Sequence, residues 1–268
     1  MPARQVRVQE LRSLTAANGG TAVTALVTFG LLPGTQYVKI HSRAFSTAVG
    51  LQYALNPYLA VLKTTDAGAT WTDYSSAAQD EDTATHVDLS SLSTLANGDA
   101  VYIGAATAFR GLDVDVDGPN GNSSVLTASY WNGSAWVDTS DTDGTISSGK
   151  TMGQDGTIAW TVPSAWSAGS LNNILQNLDG GGSSTAAAAP QYGYQDLFWV
   201  RLEVGAALDS AVTLDSIHAL AGSTAYAELT AGDDVVELAA NYGEFGAVEL
   251  TVTTGTVNTV VTVGGKFV

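Results

Sequence analysis

Three stretches of this sequence bring together residue types that can do chemistry. TTDAGATWTDYS, Thr64 to Ser75, gathers four threonines, two aspartates, a glycine and a tryptophan. Carboxylates and hydroxyls beside an indole could bind or cleave a sugar, or they could close a tight turn. DVDVDGPNGN, Asp113 to Asn122, begins as a calcium loop does, with Asp113, Asp115 and Asp117 at alternate positions and Gly118 sixth. Its twelfth position is Ser124, which cannot supply the bidentate carboxylate. A strand with Asp113 and Asp115 on its outward face, ending in a Gly/Asn turn, is the favoured reading, and structural calcium near Asp113, Asp115 and Asp117 is the minor one. DTSDTDGT, Asp138 to Thr145, carries the same ambiguity. The third group is Trp131, Trp136, Trp160, Trp166 and Trp199, all between Tyr130 and Val200. Trp131, Trp136 and Trp160 are candidates for a glycan platform, weighed against core or turn packing, the commoner use of Trp in a β-sandwich.

Other chemistries find little support. His41, His86 and His218 are far apart and lack the i, i+4 spacing of a zinc pair, so each reads as an ordinary strand or loop residue. There is no nucleophile elbow and no phosphate-binding loop. Pairs of Asp and Glu are frequent, but in an acidic chain their coincidence does not indicate glycosidase chemistry.

The elements that must position these residues are strands. QYVKIHSRAF (Gln36 to Phe45), DAVYIGAA (Asp99 to Ala106), SVLTASYW (Ser124 to Trp131), TIAWTV (Thr157 to Val162), DLFWVRLEV (Asp196 to Val204) and SAVTLDSIHAL (Ser210 to Leu220) are alternating or β-branched runs bounded by turn residues. Short strands so spaced predict an all-β chain, a jelly-roll-like or Ig-like β-sandwich. Leu171, Ile174, Leu175 and Leu178 follow the i, i+3, i+4, i+7 spacing of one short helix. Val8, Leu11 and Leu14 fit a helical face, and a short strand with Val6 and Val8 on one side fits as well. LDGGGSSTAAAAPQYG, Leu178 to Gly193, reads as a long surface loop. The expected organisation is an N-terminal arm over 1–19, a sandwich body over 20–221 and a small C-terminal β unit over 222–268.

Ten Lys and Arg against 26 Asp and Glu give a formal charge of -16, which repels phosphate backbones and anionic lipid, so neither nucleic acid nor a membrane is an expected partner. Arg4, Arg7 and Arg12 nevertheless crowd the first twelve positions with only Glu10 opposing them. They read either as a solvated terminus or as a docking arm for an acidic partner surface. With no Cys, a disulfide framework and a thiolate metal site are both excluded. TALVTFGLL, Thr24 to Leu32, is too short for a membrane span, and the first residues lack the apolar core of a secretory signal. A protein made in a cytoplasm is the expectation.

Thr64-Thr65-Asp66-Ala67-Gly68-Ala69-Thr70-Trp71 resembles the Asp-box of sialidases and other β-propeller proteins. YWNGSAWVDTS, Tyr130 to Ser140, echoes it, with Gly133-x-x-Trp136-x-Asp138 answering Gly68-x-x-Trp71-x-Asp73. Asn132-Gly133 is a hairpin signal, because the favoured two-residue turn needs positive φ at both positions. Two echoes without a blade-length repeat argue against a propeller and for two Gly-turned hairpins capped by Trp.

From Gly98 to Leu220 the order of GDAVYIGAATAFRGLDVDV, YWNGSAWVD, TDGT, GTIAWTVPSAW and LFWVRLEV resembles structural proteins of tailed-phage virions. The resemblance implies a non-enzymatic β module on the particle exterior, on capsid or tail. The expectation is a capsid decoration protein, assembled in the host cytoplasm and bound as a homotrimer to the major capsid protein, with Arg4, Arg7 and Arg12 in the contact. The alternative is a tail or fibre module that binds host-surface glycans through Trp131, Trp136 or Trp160.

Overall fold

The β-branched and aromatic runs do become strands, because alternate side chains along each can be buried on one face while the others stay wet. The computed structural model describes residues 7–12, 21–23, 26–31, 34–43, 51–80, 82–178, 188–222, 227–229, 234–240, 243–252 and 257–265. Along the chain come β1 (Arg7–Arg12), β2 (Thr21–Val23), β3 (Leu26–Gly30), β4 (Thr35–Arg43) and β5 (Leu51–Pro57). Next are β6 (Leu59–Thr65), β7 (Thr72–Asp73), β8 (Val87–Asp88), β9 (Asp99–Ala105), β10 (Gly111–Gly118), β11 (Leu126–Trp131) and β12 (Trp136–Asp138). β13 (Thr142–Asp143), β14 (Gly156–Ala159), β15 (Ala168–Ser170), the helix α1 (Leu171–Leu178), β16 (Asp196–Val204) and β17 (Thr213–Leu220) follow. The last four strands are β18 (Ala227–Leu229), β19 (Asp234–Ala239), β20 (Phe245–Val252) and β21 (Val257–Gly265). The fold is all-β, and neighbouring strands pair antiparallel.

Contacts divide the chain into two units, Met1–Tyr58 with Ser223–Val268, and Leu59–Gly222. The second is a sandwich. One sheet runs β12-β11-β16-β9-β6-β7, with β15 on β16, and the other runs β13-β14-β10-β17-β8. Between them Leu59, Val61, Ile103, Leu112, Val114, Ile158, Val200, Leu202, Leu214 and Ile217 form a buried core. Each fully buried Leu, Ile or Val contributes about 1.5–3 kcal/mol relative to exposure. β9 is buried along its whole length, because the first sheet has a second apolar face. There Ala60, Leu62, Ala100, Tyr102, Trp131 and Trp199 pack under Leu171 and Ile174 of α1. The α1 helix uses the apolar spacing read from the sequence, and its Asn172 clamps the returning chain by accepting from the Ala189 N–H at 2.7 Å. The end of the Gly/Ser/Ala stretch is therefore packed: Ala189 is fully buried.

The first unit has a sheet ordered β1-β21-β4-β19, with β2 also on β21, and a sheet ordered β18-β5-β20-β3. Buried Val38 stands in register between Val263 and Leu238, and buried Ile40 between Val261 and Val236. In the other sheet Phe29, Val248 and Leu250 are buried.

The division differs from the one the sequence suggests. Residues 222–268 do form strands, but each finds its partners among the first 58 residues: β18 on β5, β19 on β4, β20 on β3 and β5, and β21 on β1, β2 and β4. Residues 20–58 thus belong with the C-terminal strands and not with the body. Leu59–Gly222 is inserted into the other unit, and its two ends emerge at the same turn, since Leu59 pairs with Ala105 while Gly222 lies against the carbonyl of Ala108. Pairings across more than 160 residues leave no trace in a local window.

Charge divides with the units. The discontinuous unit holds six of the ten Lys and Arg and seven of the 26 Asp and Glu, a formal charge of -1. The inserted unit holds the other four and nineteen, a formal charge of -15.

The N-terminal arm also needs correcting. Arg7–Arg12 form β1, paired with β21 from Arg7↔Gly265 to Arg12↔Val261 with a bulge between Glu10 and Arg12, so this stretch is a strand of a sheet, as the strand reading allowed, and not a free arm. Arg4 lies outside the described residues.

Candidate functional site

The Asp-box segment is a hairpin between β6 and β7, with Leu62 opposite Asp73 and Lys63 opposite Thr72. Asp66 organises its loop. Its carboxylate accepts from the Thr70 N–H at 2.8 Å, the Thr70 hydroxyl at 2.6 Å and the Thr64 hydroxyl at 3.0 Å. Thr64 Oγ1 in turn accepts from the Gly68 N–H at 2.8 Å. Ala67 and Gly68 are left-handed, with φ of 55° and 85°, a geometry that Gly at the second position eases. The Thr70 bonds, made to the ionised form, hold the Asp66 carboxyl below its ordinary range.

The echo forms a hairpin as well. β11 and β12 pair with Trp131 opposite Trp136 and Ser129 opposite Asp138. The turn has four residues instead of two: only Gly133 of the Asn-Gly pair has positive φ, 95°. Asn132 Oδ1 closes it by accepting from the N–H groups of Ser134 and Ala135, at 2.9 and 2.8 Å. The likeness between the two segments runs one step further than Gly-x-x-Trp-x-Asp. Asp73 accepts from the Ser75 N–H at 2.9 Å, and Asp138 accepts from the Ser140 N–H at 2.7 Å. The shared pattern, Gly-x-x-Trp-x-Asp-x-Ser, was readable in the sequence.

The two hairpins occupy opposite edges of one sheet, in one register. Asp73 is opposite Leu62, Leu62 opposite Tyr102, Tyr102 opposite Arg201, Arg201 opposite Ser129, and Ser129 opposite Asp138. Trp71 and Trp136 lean in from the two edges onto Tyr102, each with its ring centroid 5.6 Å away. Arg201 stacks 5.0 Å over the Trp136 ring and is held by Glu203, whose Oε1 accepts from Nε at 2.7 Å. Burial raises the Tyr102 hydroxyl above its ordinary value, with the Arg201 guanidinium working against that rise.

This arrangement changes the list of candidate aromatic residues. Trp131 and Trp160 are core residues, each 6% exposed, and cannot stack a sugar. Trp160 Nε1 donates to the Phe109 carbonyl, and the Trp131 ring packs on Trp136 at 5.7 Å. An indole beside a β-branched run is as easily drawn inward as outward, and here distant neighbours decide it: Trp131 packs on the second apolar face and Trp160 in the core between the sheets. Trp136 remains half-buried at the surface, joined by Trp71, which the three-residue list missed.

Asp113, Asp115 and Asp117 do not wrap into a loop. They lie at alternate positions of β10, opposite in facing to buried Leu112 and Val114, the strand reading favoured from sequence. Asp117 meets Asp215 of β17 and His86, the residue before β8. His86 Nδ1 donates to Asp215 Oδ1 at 2.9 Å and stands 4.0 Å from Asp117 Oδ2, and one ligand atom from each of the three lies within 4.8 Å of the others. An imidazole with two carboxylates is a donor set a divalent cation accepts. Facing an ionised carboxylate, Nδ1 carries the proton, and that hydrogen bond alone accounts for the approach. Nothing in the sequence flags this cluster, because its members are 31 and 98 residues apart.

A scan against protein-family models finds no match to this chain, and searches of curated proteins and of solved structures find none either. Among the described residues no helix is long and apolar enough to cross a membrane.

Proposed function

We propose that this protein is a non-enzymatic structural subunit of a tailed-phage particle, a decoration protein that binds the outer surface of the capsid as a homotrimer and takes the major capsid protein as its partner. The observation that carries the non-enzymatic part is where the carboxylates go. Asp66, Asp73, Asp88, Asp138, Asp143 and Asp209 each accept from a backbone N–H two to four residues on, at 2.7–2.9 Å. Carboxylates spent on closing turns are acceptors for the fold and are poorly placed to move protons for a substrate. The Asp-box is the clearest case. The particle assignment is supported by the resemblance between Gly98 and Leu220, whose segments all fall in the inserted unit, and it places the protein on the virion exterior after assembly in the host cytoplasm. Co-purification tests it: a fixed, symmetric copy number on purified heads is the expected result, and association with tails alone, or with no particle, refutes it.

The second reading, a tail or fibre module that binds glycans, is favoured by one feature, the half-buried pair Trp71 and Trp136 beside Arg201 and Glu203. Indole faces next to a charged hydrogen-bonding pair suit a pyranose ring. Glycan-array binding that is lost in Trp136→Ala with the fold intact would select it over decoration.

A further inference from the structure

The four cations of Leu59–Gly222 are Lys63, Arg110, Lys150 and Arg201, set against seventeen Asp and two Glu. Two of the four are already engaged: Lys63 is buried with Nζ on the Asp88 carbonyl, and Arg201 is held by Glu203. However the four are paired, fifteen of the nineteen carboxylates are left without a Lys or Arg of the unit to oppose them. Of its described carboxylates only Asp99 is buried, so the excess lies at the surface. It lies there at short spacings. Asp113 and Asp115 stand two residues apart on one side of β10, a rise of about 6.6 Å. Asp117 and Asp215 bring carboxylate oxygens within 4.8 Å of each other beside His86. Burial raises the Asp141 carboxyl, with the charges of Asp138 and Asp143 adding to the rise. Protonation gives no relief at neutral pH, because Asp66, Asp73, Asp138 and Asp143 close turns as ionised acceptors.

We propose that the inserted unit depends for its stability on a dense atmosphere of small monovalent cations, so that the protein is built to fold and work in concentrated salt. Magnitudes decide which ionic strength suffices. The screening length is about 10 Å at 0.1 M, longer than the rise from Asp113 to Asp115, and about 3 Å at 1 M, shorter than it. Repulsion among the surface carboxylates therefore acts across the unit in dilute salt and is cut off in concentrated salt. The relief is collective and needs no fixed ion site: the sodium or potassium of the medium supplies it. The discontinuous unit is the contrast. At a formal charge of -1 its charges nearly cancel, and salt has little repulsion to relieve there.

Nothing in this rests on the particle reading. All six Trp lie in Leu59–Gly222, so their fluorescence in the full chain reports on this unit. Melting of the full chain is followed in NaCl from about 0.1 M to about 1 M, and the midpoint is expected to climb throughout. The variant with Thr72→Lys, Ser123→Lys, Thr142→Lys and Ala211→Lys, all at exposed positions, adds four cations to the unit. It is expected to melt above wild type at the low end of the series and to gain less from added salt. Should it fail to fold, the four single variants carry the same test in smaller steps. A wild-type midpoint that stays level or falls with NaCl overturns the proposal, as does an equal salt gain in wild type and variant. So does a midpoint raised as far by millimolar CaCl2 or MgCl2 as by the highest NaCl, which would put a fixed divalent site in place of screening.

Discussion

Trp71 and Trp136 stand on opposite edges of one six-stranded path, and each rests its ring 5.6 Å from the ring of Tyr102 at the centre. The two echoed segments therefore converge on a single side chain. Removing that side chain should loosen both hairpins together. Tyr102 is 5% exposed, and Tyr102→Ala is expected to cost about 3–5 kcal/mol through the cavity it leaves. Tyr102→Phe keeps the ring contacts and forfeits only the hydroxyl's interaction with Arg201, so its cost should be about 1 kcal/mol. Urea unfolding followed by Trp fluorescence measures both, and equal losses for the two variants would show that the rings contribute nothing.

On the same face, Trp199 lies flat across Gly104, and a Cβ at residue 104 would sit 2.7 Å from three of its ring atoms or nearly so. Trp199 is fully buried and its Nε1 donates to the Gly169 carbonyl at 2.8 Å, so it has no room to withdraw. Gly104→Ala is expected to destabilise by about 1–3 kcal/mol through overpacking. The penalty should shrink when Trp199→Leu is present, and a double-mutant cycle with zero coupling would refute the clash.

How much of this was legible in the sequence follows from the range of each interaction. Strands such as Asp99 to Ala105 and Asp196 to Val204, the helix at Leu171 and the two Gly-turned hairpins rest on neighbours within a few residues, and composition shows them. The facing of Asp113 and Asp115 was readable because alternation along a strand is local. What could not be read depends on distant partners. Trp131 and Trp160 read as platform candidates, since burial of an indole is decided by distant neighbours: Trp131 packs on the second apolar face under α1, and Trp160 joins the core between the sheets beside Phe109. His86 and Asp215 meet across 129 residues, and the C-terminal strands reach partners even further away.

The Asp66 loop should be sensitive to acid. With its carboxyl held below the ordinary range by the Thr70 bonds, its contribution is fully present above about pH 3.9, the unfolded value, and is lost as pH falls through the lower, folded one. Asp66→Asn removes this dependence, so the wild-type advantage over the variant should be constant near neutral pH and shrink in acid. Melting temperatures of the pair across the acid range check it, and a difference that grows as pH falls would contradict the assignment.

Lys63 ties the two sheets of the sandwich, donating from Nζ in β6 to the carbonyl of Asp88 in β8 at 2.7 Å. Burial lowers its amine, with Asp88 and Asp99 pushing back. A lowered folded value means the unfolded chain binds the proton more tightly, so stability should rise with pH between the folded value and about 10.4, the unfolded one. Lys63→Met keeps the apolar stem and abolishes this slope. Denaturant titrations of both proteins at alkaline pH test it, and identical pH profiles would show that Lys63 is solvated in the native state.

The inserted unit should fold by itself. Leu59–Gly222 contains both of its sheets, the core between them and α1 with its clamp, and its ends leave at one turn, so nothing that it pairs with is lost on excision. Expressed as residues 59–222 it is expected to unfold cooperatively, with the buried-Trp emission of the full chain. Residues 223–268 alone should remain unfolded, because β18, β19, β20 and β21 all find their partners in residues 1–58, and mixing in a 1–58 fragment should restore structure. Circular dichroism and hydrogen exchange of the three fragments check this. A folded 223–268, or an unfolded 59–222, would move the boundary back toward residue 20 and with it the assignment of charge to each unit.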